Sequence, residues 1–177
     1  MYRIDKLLKF DRKLFHTRDL ALLWGIANDN SLYTLIKRYV AKGILIPIHK
    51  GFYATVPAEQ IDPIELGIGF LHRYAYVSCE HILSLYNVIF QHSPIITLVS
   101  SVSKKFTVAN HQYIARKLKD AYLFNPIGID RAGTCRKAKL ERAVADLLYF
   151  NPRYHLDNPK AIDWEKVAKI KKEVGYK

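Results

Sequence analysis

Six side chains that can donate hydrogen bonds recur at helical spacing between residues 31 and 42. They are Ser31, Tyr33, Thr34, Lys37, Arg38 and Lys42. Hydroxyl, ammonium and guanidinium groups bond phosphate oxygens and can also reach base edges in a groove. No carboxylate is expected on this side of the segment to repel a polyanion. The pattern predicts a helix face that binds nucleic acid, and an ordinary solvated helix face is the simpler alternative.

The other side of the same segment is apolar, which is typical of a helix with one buried stripe. The stripe is Leu32, Leu35, Ile36, Tyr39 and Val40. We expect the helix to run from about Ser31 to Lys42. Gly43 is expected to end it, because glycine readily adopts the left-handed conformation found at helix C-termini.

A shorter helix is predicted before this one, from an N-cap at Thr17 to a left-handed exit at Gly25. A β-hairpin is predicted after it, with strands at 44–48 and 52–56. Two short helices followed by a hairpin are the layout of a winged helix-turn-helix, which places one helix in a DNA groove. Residues 1–57 are therefore expected to form such a DNA-binding domain.

Four further residues would contact phosphates if this layout is right. Thr17 and Arg18 open the first helix, and His49 and Lys50 form the hairpin turn with Gly51. A cationic hairpin tip beside a basic helix can bind the backbone that flanks a groove.

Residues 62–177 are predicted to form a small α/β domain after a proline-bounded linker at 57–63, so the whole chain is expected to be α+β. The expected elements are helices from Pro63, after Ser78 and over 137–150, and strands at 95–99, 105–108 and 119–124. Arg136, Lys139 and Arg142 recur every three residues near the last of these helices. They would form a second phosphate-binding patch, with an ordinary solvated surface as the alternative.

The net charge favours a polyanionic partner. The full sequence has 28 Lys and Arg against 16 Asp and Glu, a formal charge of +12. The charge is concentrated towards both ends of the chain. Double-stranded DNA or RNA is therefore a better candidate partner than a membrane surface.

Other function classes lack their characteristic residues. The seven histidines and two cysteines form no metal-ligand repeat, and no phosphate-binding glycine loop or activated nucleophile is recognisable. We therefore predict no catalytic residue, no metal and no cofactor. A reducing, cytoplasmic location is expected from the cysteine usage, and no apolar run approaches the roughly 20 residues of a membrane span.

These segments together resemble the AbiEi-like antitoxins of type IV toxin–antitoxin, abortive-infection and viral-defence systems. The matching segments are FHTRDLALLWGI, LYTLIKRYVAKGILIPIHKGFYAT, YVSCEHILSLYNVI, ITLVSS and ERAVADLLYF. The resemblance implies a winged helix joined to an α/β antitoxin domain, and a nucleotidyltransferase-like toxin encoded by a neighbouring gene. It also implies repression of the pair's own promoter at inverted repeats, which a homodimer would suit.

Two alternatives stay open at this point. The chain could be a protein-interaction module that neutralises a partner toxin directly, with its charge serving an acidic surface. It could also be a nucleic-acid-processing enzyme whose site is assembled only in the folded chain.

Overall fold

The computed structural model describes residues 3–10, 12–131 and 135–176. The protein is a mixed α and β chain with two compact units, Met1–His72 and Arg73–Lys177. The boundary follows helix α4 (Pro63–Leu71), whereas the sequence suggested a linker at 57–63.

The first unit combines helices with a small antiparallel sheet. Its elements are α1 (Arg3–Leu8), β1 (Leu14–His16), α2 (Thr17–Trp24), α3 (Asp29–Ala41), β2 (Ile46–His49), β3 (Phe52–Ala54) and α4. The strand order is β1-β3-β2, with Leu14 opposite Ala54 and Ile46 opposite the same residue on the other side. The hairpin was predicted, but strand β1 was not.

Helix α2 begins one residue earlier than expected. The predicted N-cap at Thr17 is wrong, because His16 is the N-cap and Thr17 is the first helical residue. The Asp19 carboxylate accepts a hydrogen bond from the His16 amide (2.8 Å), which satisfies a free donor of the first turn. The helix ends as predicted at Gly25, where φ is 65° and the next amide bonds the Ala21 carbonyl (3.0 Å).

Helix α3 starts slightly before the expected position and ends where the sequence indicates. The Asn28 side chain accepts a bond from the Ser31 amide (2.9 Å) and caps the helix. Gly43 has φ 68°, as expected of a residue that follows a helix C-terminus. Leu32, Leu35 and Ile36 are buried in one cluster with Leu7, Phe15, Leu20, Trp24 and Leu45. The predicted apolar stripe is thus the core of the first unit.

The second unit is built around a mixed sheet. Its elements are β4 (Ala75–Val77), α5 (Glu80–Leu85), β5 (Ile96–Ser100), β6 (Lys104–Val108), β7 (His111–Lys117), α6 (Asp120–Leu123), β8 (Ile129–Asp130), β9 (Lys137–Ala138), α7 (Leu140–Phe150) and α8 (Trp164–Val174). The strand order is β6-β7-β5-β4-β9-β8. Strand β5 pairs parallel to β7 and antiparallel to β4.

Two sequence expectations for this unit are wrong. A strand was expected at 119–124, but residues Asp120–Leu123 form helix α6, and the strand that pairs with β5 is β7. Tyr113 and Ala115 of β7 are buried at alternate positions, but the polar residues around them hide this pattern in the sequence. The helix expected from residue 137 starts at Leu140, because Lys137 and Ala138 pair as a strand.

In the described part of the chain, no helix is both long and apolar enough to cross a membrane.

Candidate nucleic-acid interface

The donor-bearing side of α3 is exposed along its whole length. Ser31, Tyr33, Thr34, Lys37, Arg38 and Lys42 all lie at the surface, with Tyr33 50% exposed. The side chains that oppose them are buried in the core of the first unit. The face is therefore held in one orientation by packing, which a recognition surface requires.

The cations of this face are available for a ligand. Neither Lys37 nor Arg38 forms an ion pair with the described residues, whereas Arg12 of the same unit bonds Asp19 at 3.0 Å. Thr34 differs, because its hydroxyl donates to the Asn30 carbonyl (2.8 Å) and its hydrogen is already used. Lys37 and Arg38 are thus the strongest donors of the face.

A concavity of about 620 Å³ lies between α2 and the start of α3. Its lining includes Thr17, Arg18, Leu22, Asp29 and Tyr33. The expectation that this face carries no carboxylate is wrong, because α3 starts at Asp29 and that residue is exposed. The residues predicted from α2 and from α3 are brought together here.

Leu22 lines this concavity, although the sequence did not predict it as a site residue. It is 79% exposed, although it is aliphatic. The signal for it was its position, since residues two apart on a helix point to opposite sides and Leu20 and Trp24 are both buried. An apolar side chain that faces water beside polar donors suits a ligand with apolar groups of its own.

The hairpin tip is tied to the start of α2. The Thr17 amide and hydroxyl both donate to the Gly51 carbonyl, at 3.0 Å and 3.3 Å. Lys50 and Gly51 connect β2 to β3, and Gly51 has φ 74°. Lys50 is exposed, and the ring of His49 packs edge-on against Phe70 (5.1 Å between centroids). The predicted phosphate contacts Thr17, Arg18 and Lys50 therefore belong to one continuous surface.

A cluster of titratable side chains fixes the first turn of α2. His72 Nε2 donates to Asp19 Oδ1 (3.0 Å), and Arg12 bonds the other oxygen of that carboxylate. The ring of His16 stacks on His72 at 4.2 Å, and its Nε2 donates to the Gly69 carbonyl. No sequence pattern indicated this cluster, because His16 and His72 lie 56 positions apart along the chain.

The environment shifts the pKa values of two members of this cluster. Burial, together with the positive potential of His72 and Arg12, lowers the pKa of His16 although the Gly69 bond opposes the shift. Burial would raise the pKa of Asp19, but the His16 amide bond, Arg12 and His72 lower it below its ordinary value. Asp19 is therefore an anion that stabilises the start of α2.

The predicted second phosphate patch is wrong for Arg142. This residue is fully buried, because its guanidinium bonds Asp146 (2.8 Å), the Tyr76 hydroxyl (3.0 Å) and three backbone carbonyls. Those carbonyls belong to Asn125, Ile127 and Tyr122. Arg136 and Lys139 are exposed, but they precede α7 and do not share a helix face with Arg142.

Asp146 is the centre of this buried network. It accepts hydrogen bonds from Tyr76, Ser78, Arg142 and Tyr176. Burial and the Asp146 charge raise the pKa values of Tyr76 and Tyr176, so both hydroxyls keep their protons and donate. The Asp146 charge raises the pKa of Arg142 despite its burial. The network is a structural centre of the second unit.

Within residues 3–10, 12–131 and 135–176, no three His, Cys, Asp or Glu side chains are grouped as a metal site would require. Comparison with models of known protein families and with curated proteins found no match.

Proposed function

We propose that the chain is a sequence-specific DNA-binding repressor whose first unit is a winged helix-turn-helix. The observation that carries the proposal is the exposed face of α3, where Lys37 and Arg38 stand opposite a buried stripe and have no carboxylate partner among the described residues. A basic helix face beside a cationic hairpin is how this class of domain meets DNA.

In this proposal α3 lies in the major groove, and the hairpin contacts the flanking backbone. Lys37, Arg38 and Tyr33 reach base edges or phosphates, and Lys50 with Arg18 binds phosphates on either side. Leu22 supplies an apolar contact of the kind that suits a thymine methyl group. Asp29 repels phosphates. It therefore favours a placement of α3 in which the N-terminus of the helix lies over base edges and away from the backbone.

The resemblance to AbiEi-like antitoxins extends the proposal to a biological setting. We propose that the protein is a cytoplasmic, autoregulating antitoxin that represses the promoter it shares with a nucleotidyltransferase-like toxin. Inverted repeats in that promoter would be bound by two copies of the chain.

The test is binding of the full chain to duplexes taken from the region upstream of its own gene. The Lys37→Ala/Arg38→Ala double variant should lose affinity for the specific duplex. Lys9→Ala/Lys13→Ala is the matched control, because it removes two exposed cations of the first unit that lie outside α3. If the control and the Lys37→Ala/Arg38→Ala variant lose the same affinity for the specific duplex, the loss is due to net charge alone and α3 is not in the groove.

A second candidate function is direct binding of a protein partner by the second unit. Leu85, Tyr86 and Phe90 are 65%, 54% and 62% exposed and lie within six residues of each other. Exposed apolar side chains in one segment are typical of interaction surfaces. Co-purification of a stoichiometric complex with the product of the neighbouring gene, lost in a Leu85→Ser/Phe90→Ser variant, would support this function.

A further inference from the structure

The second unit contains a small pocket between α5 and the β5–β7 part of the sheet. Its volume is about 150 Å³, and Glu80, Thr97 and Arg116 supply polar groups to its lining. Ile95 and Ile114 supply an apolar wall. A cavity of about this size holds a single benzene-sized ring. The pocket therefore fits one planar ring with polar substituents.

Glu80 leaves a hydrogen-bonding capacity unused in this pocket. One carboxylate oxygen forms an ion pair with Arg116, whose guanidinium also lies over the ring of Phe150. The other oxygen, Oε2, is buried and has no hydrogen-bond partner among the described residues. A buried acceptor without a donor is costly, so a ligand in this pocket that donates to the Glu80 carboxylate would stabilise it.

The backbone before Glu80 is strained. Cys79 has φ 55° and ψ −137°, a conformation that L residues rarely adopt. Such strain is retained where the surrounding structure requires it, and it is concentrated at ligand-binding and catalytic sites. The strained residue directly precedes Glu80, so the strain lies next to a residue that lines the pocket.

The polar groups of the pocket select a particular ring edge. A carboxylate accepts from an amino group, and the adjacent guanidinium donates to a ring nitrogen or carbonyl oxygen. Among single-ring bases, cytosine presents this pair, because its N4 amino group donates and its N3 and O2 accept. Uracil offers the carboxylate only its N3–H, which lies between two carbonyl oxygens that the carboxylate repels, whereas the cytosine amino group is flanked by one acceptor only. Carboxylates are known partners of the cytosine amino group in proteins.

An adjoining pocket of about 240 Å³ is lined by a guanidinium and an imidazole. Gln91 lines both pockets, and Arg153 and His155 line the second. Asp157 also lines it, but its carboxylate accepts the Phe90 amide (2.7 Å) and lies 3.6 Å from His155. Arg153 is exposed and forms no ion pair with the described residues. A cation is thus available next to the ring-sized pocket.

We propose that the second unit binds a cytidine nucleotide, with one edge of the base against the Glu80–Arg116 pair and the phosphate at Arg153 and His155. The charge of this part of the chain agrees with an anionic ligand, since residues 73–177 hold 18 of the 28 basic residues and 9 of the 16 acidic ones. The site uses no residue of the DNA-binding surface of the first unit. The nucleotide can be free or can be part of a single strand, because both present the same base and phosphate.

The test is isothermal titration calorimetry of the full chain with CMP, UMP, GMP and a short oligodeoxycytidine. CMP should bind at least about tenfold more tightly than UMP, which corresponds to one discriminating hydrogen bond to the base. Glu80→Gln should remove this preference, because an amide can donate to uracil as well as accept from cytosine. Arg153→Ala should weaken the binding of both CMP and UMP by about tenfold or more, because the phosphate then has no guanidinium partner. Tighter binding of the oligonucleotide than of CMP would identify a strand as the source.

Lys172→Ala is the charge control, because it removes an exposed cation of α8 outside both pockets. Thermal melting of each variant shows that it is folded. The proposal is overturned if CMP and UMP bind equally, if GMP binds more tightly than CMP, or if folded Glu80→Gln keeps the full preference. It is also overturned if Lys172→Ala weakens binding as much as Arg153→Ala does, or if no nucleotide binds. DNA binding by the first unit can succeed or fail without affecting any of these outcomes.

Discussion

Replacing Arg142 with alanine tests the buried network of the second unit. Arg142 and Asp146 have side chains that are 0% exposed, and they form an ion pair at 2.8 Å. The alanine variant leaves the Asp146 carboxylate buried without its cation. It also leaves the carbonyls of Tyr122 and Ile127 without the donors they bond at 3.0 Å and 2.9 Å.

The expected destabilisation follows from these missing partners. Removing one partner of a buried ion pair costs about 3–5 kcal/mol. Asp146 keeps the donors Tyr76, Ser78 and Tyr176, so part of its charge is still compensated. We therefore expect the free energy of unfolding to fall by about 3 kcal/mol, the lower end of that range. This is a large share of the stability of a unit this size.

The assay needs a signal that reports on the second unit alone. The chain has two tryptophans, with Trp24 in the first unit and Trp164 in the second. A Trp24→Phe background leaves Trp164, whose indole donates to the Pro159 carbonyl (3.1 Å) in the folded state. Urea unfolding followed by its emission gives the free energy of unfolding and the m-value.

Lys139→Ala in the same background is the control, because Lys139 is exposed and directly precedes the helix that carries Arg142. Its free energy of unfolding should change by no more than about 0.5 kcal/mol. If Arg142→Ala lowers the free energy of unfolding by less than about 1 kcal/mol with an unchanged m-value, Arg142 is not part of a buried ion pair.

Two further predictions concern the first unit. The pKa of Asp19 is lowered in the folded state, so its stabilising effect is complete above the ordinary carboxyl range and is lost as pH falls through the folded value. The first unit should therefore lose stability below about pH 4, and Asp19→Asn should flatten that dependence in urea unfolding followed by Trp24 emission in a Trp164→Phe background. If the two pH profiles are parallel, the Asp19 cluster has no such role. Lys50→Ala should weaken binding to specific and random duplexes alike. It should also reduce the slope of log affinity against log salt concentration by about 1. A change in sequence preference instead would mean that the hairpin reads bases.

Local sequence signals were sufficient to predict helices α2 and α3 of the first unit, whereas α1 was not predicted. The stripe of Leu32, Leu35 and Ile36 fixed which side of α3 is buried, and Gly25 and Gly43 marked the helix ends because each adopts positive φ. Exposure of Lys37 and its neighbours follows from the same periodicity. The periodicity does not show what these side chains bind, because a recognition face and a solvated face have the same pattern.

Tertiary contacts decided the features that the sequence did not predict. Arg142 was assigned to the surface from its spacing to Arg136 and Lys139, but its partners come from distant segments such as Tyr76 and Tyr122. The pairing of Glu80 with Arg116 likewise joins residues 36 positions apart. A buried charge cannot be recognised by periodicity when each of its partners lies on another element.

Groove binding by α3 can be measured by fluorescence anisotropy of the full chain on duplexes from the region upstream of its own gene. Removing a side chain that hydrogen-bonds a base edge costs about 1–3 kcal/mol, so the Lys37→Ala/Arg38→Ala variant should bind its specific duplex at least about tenfold more weakly. Its affinity for random duplex should fall less, and Lys9→Ala/Lys13→Ala should retain the specificity ratio of the unmodified chain. Unchanged specific affinity in a folded Lys37→Ala/Arg38→Ala variant would show that α3 is not the element that reads DNA.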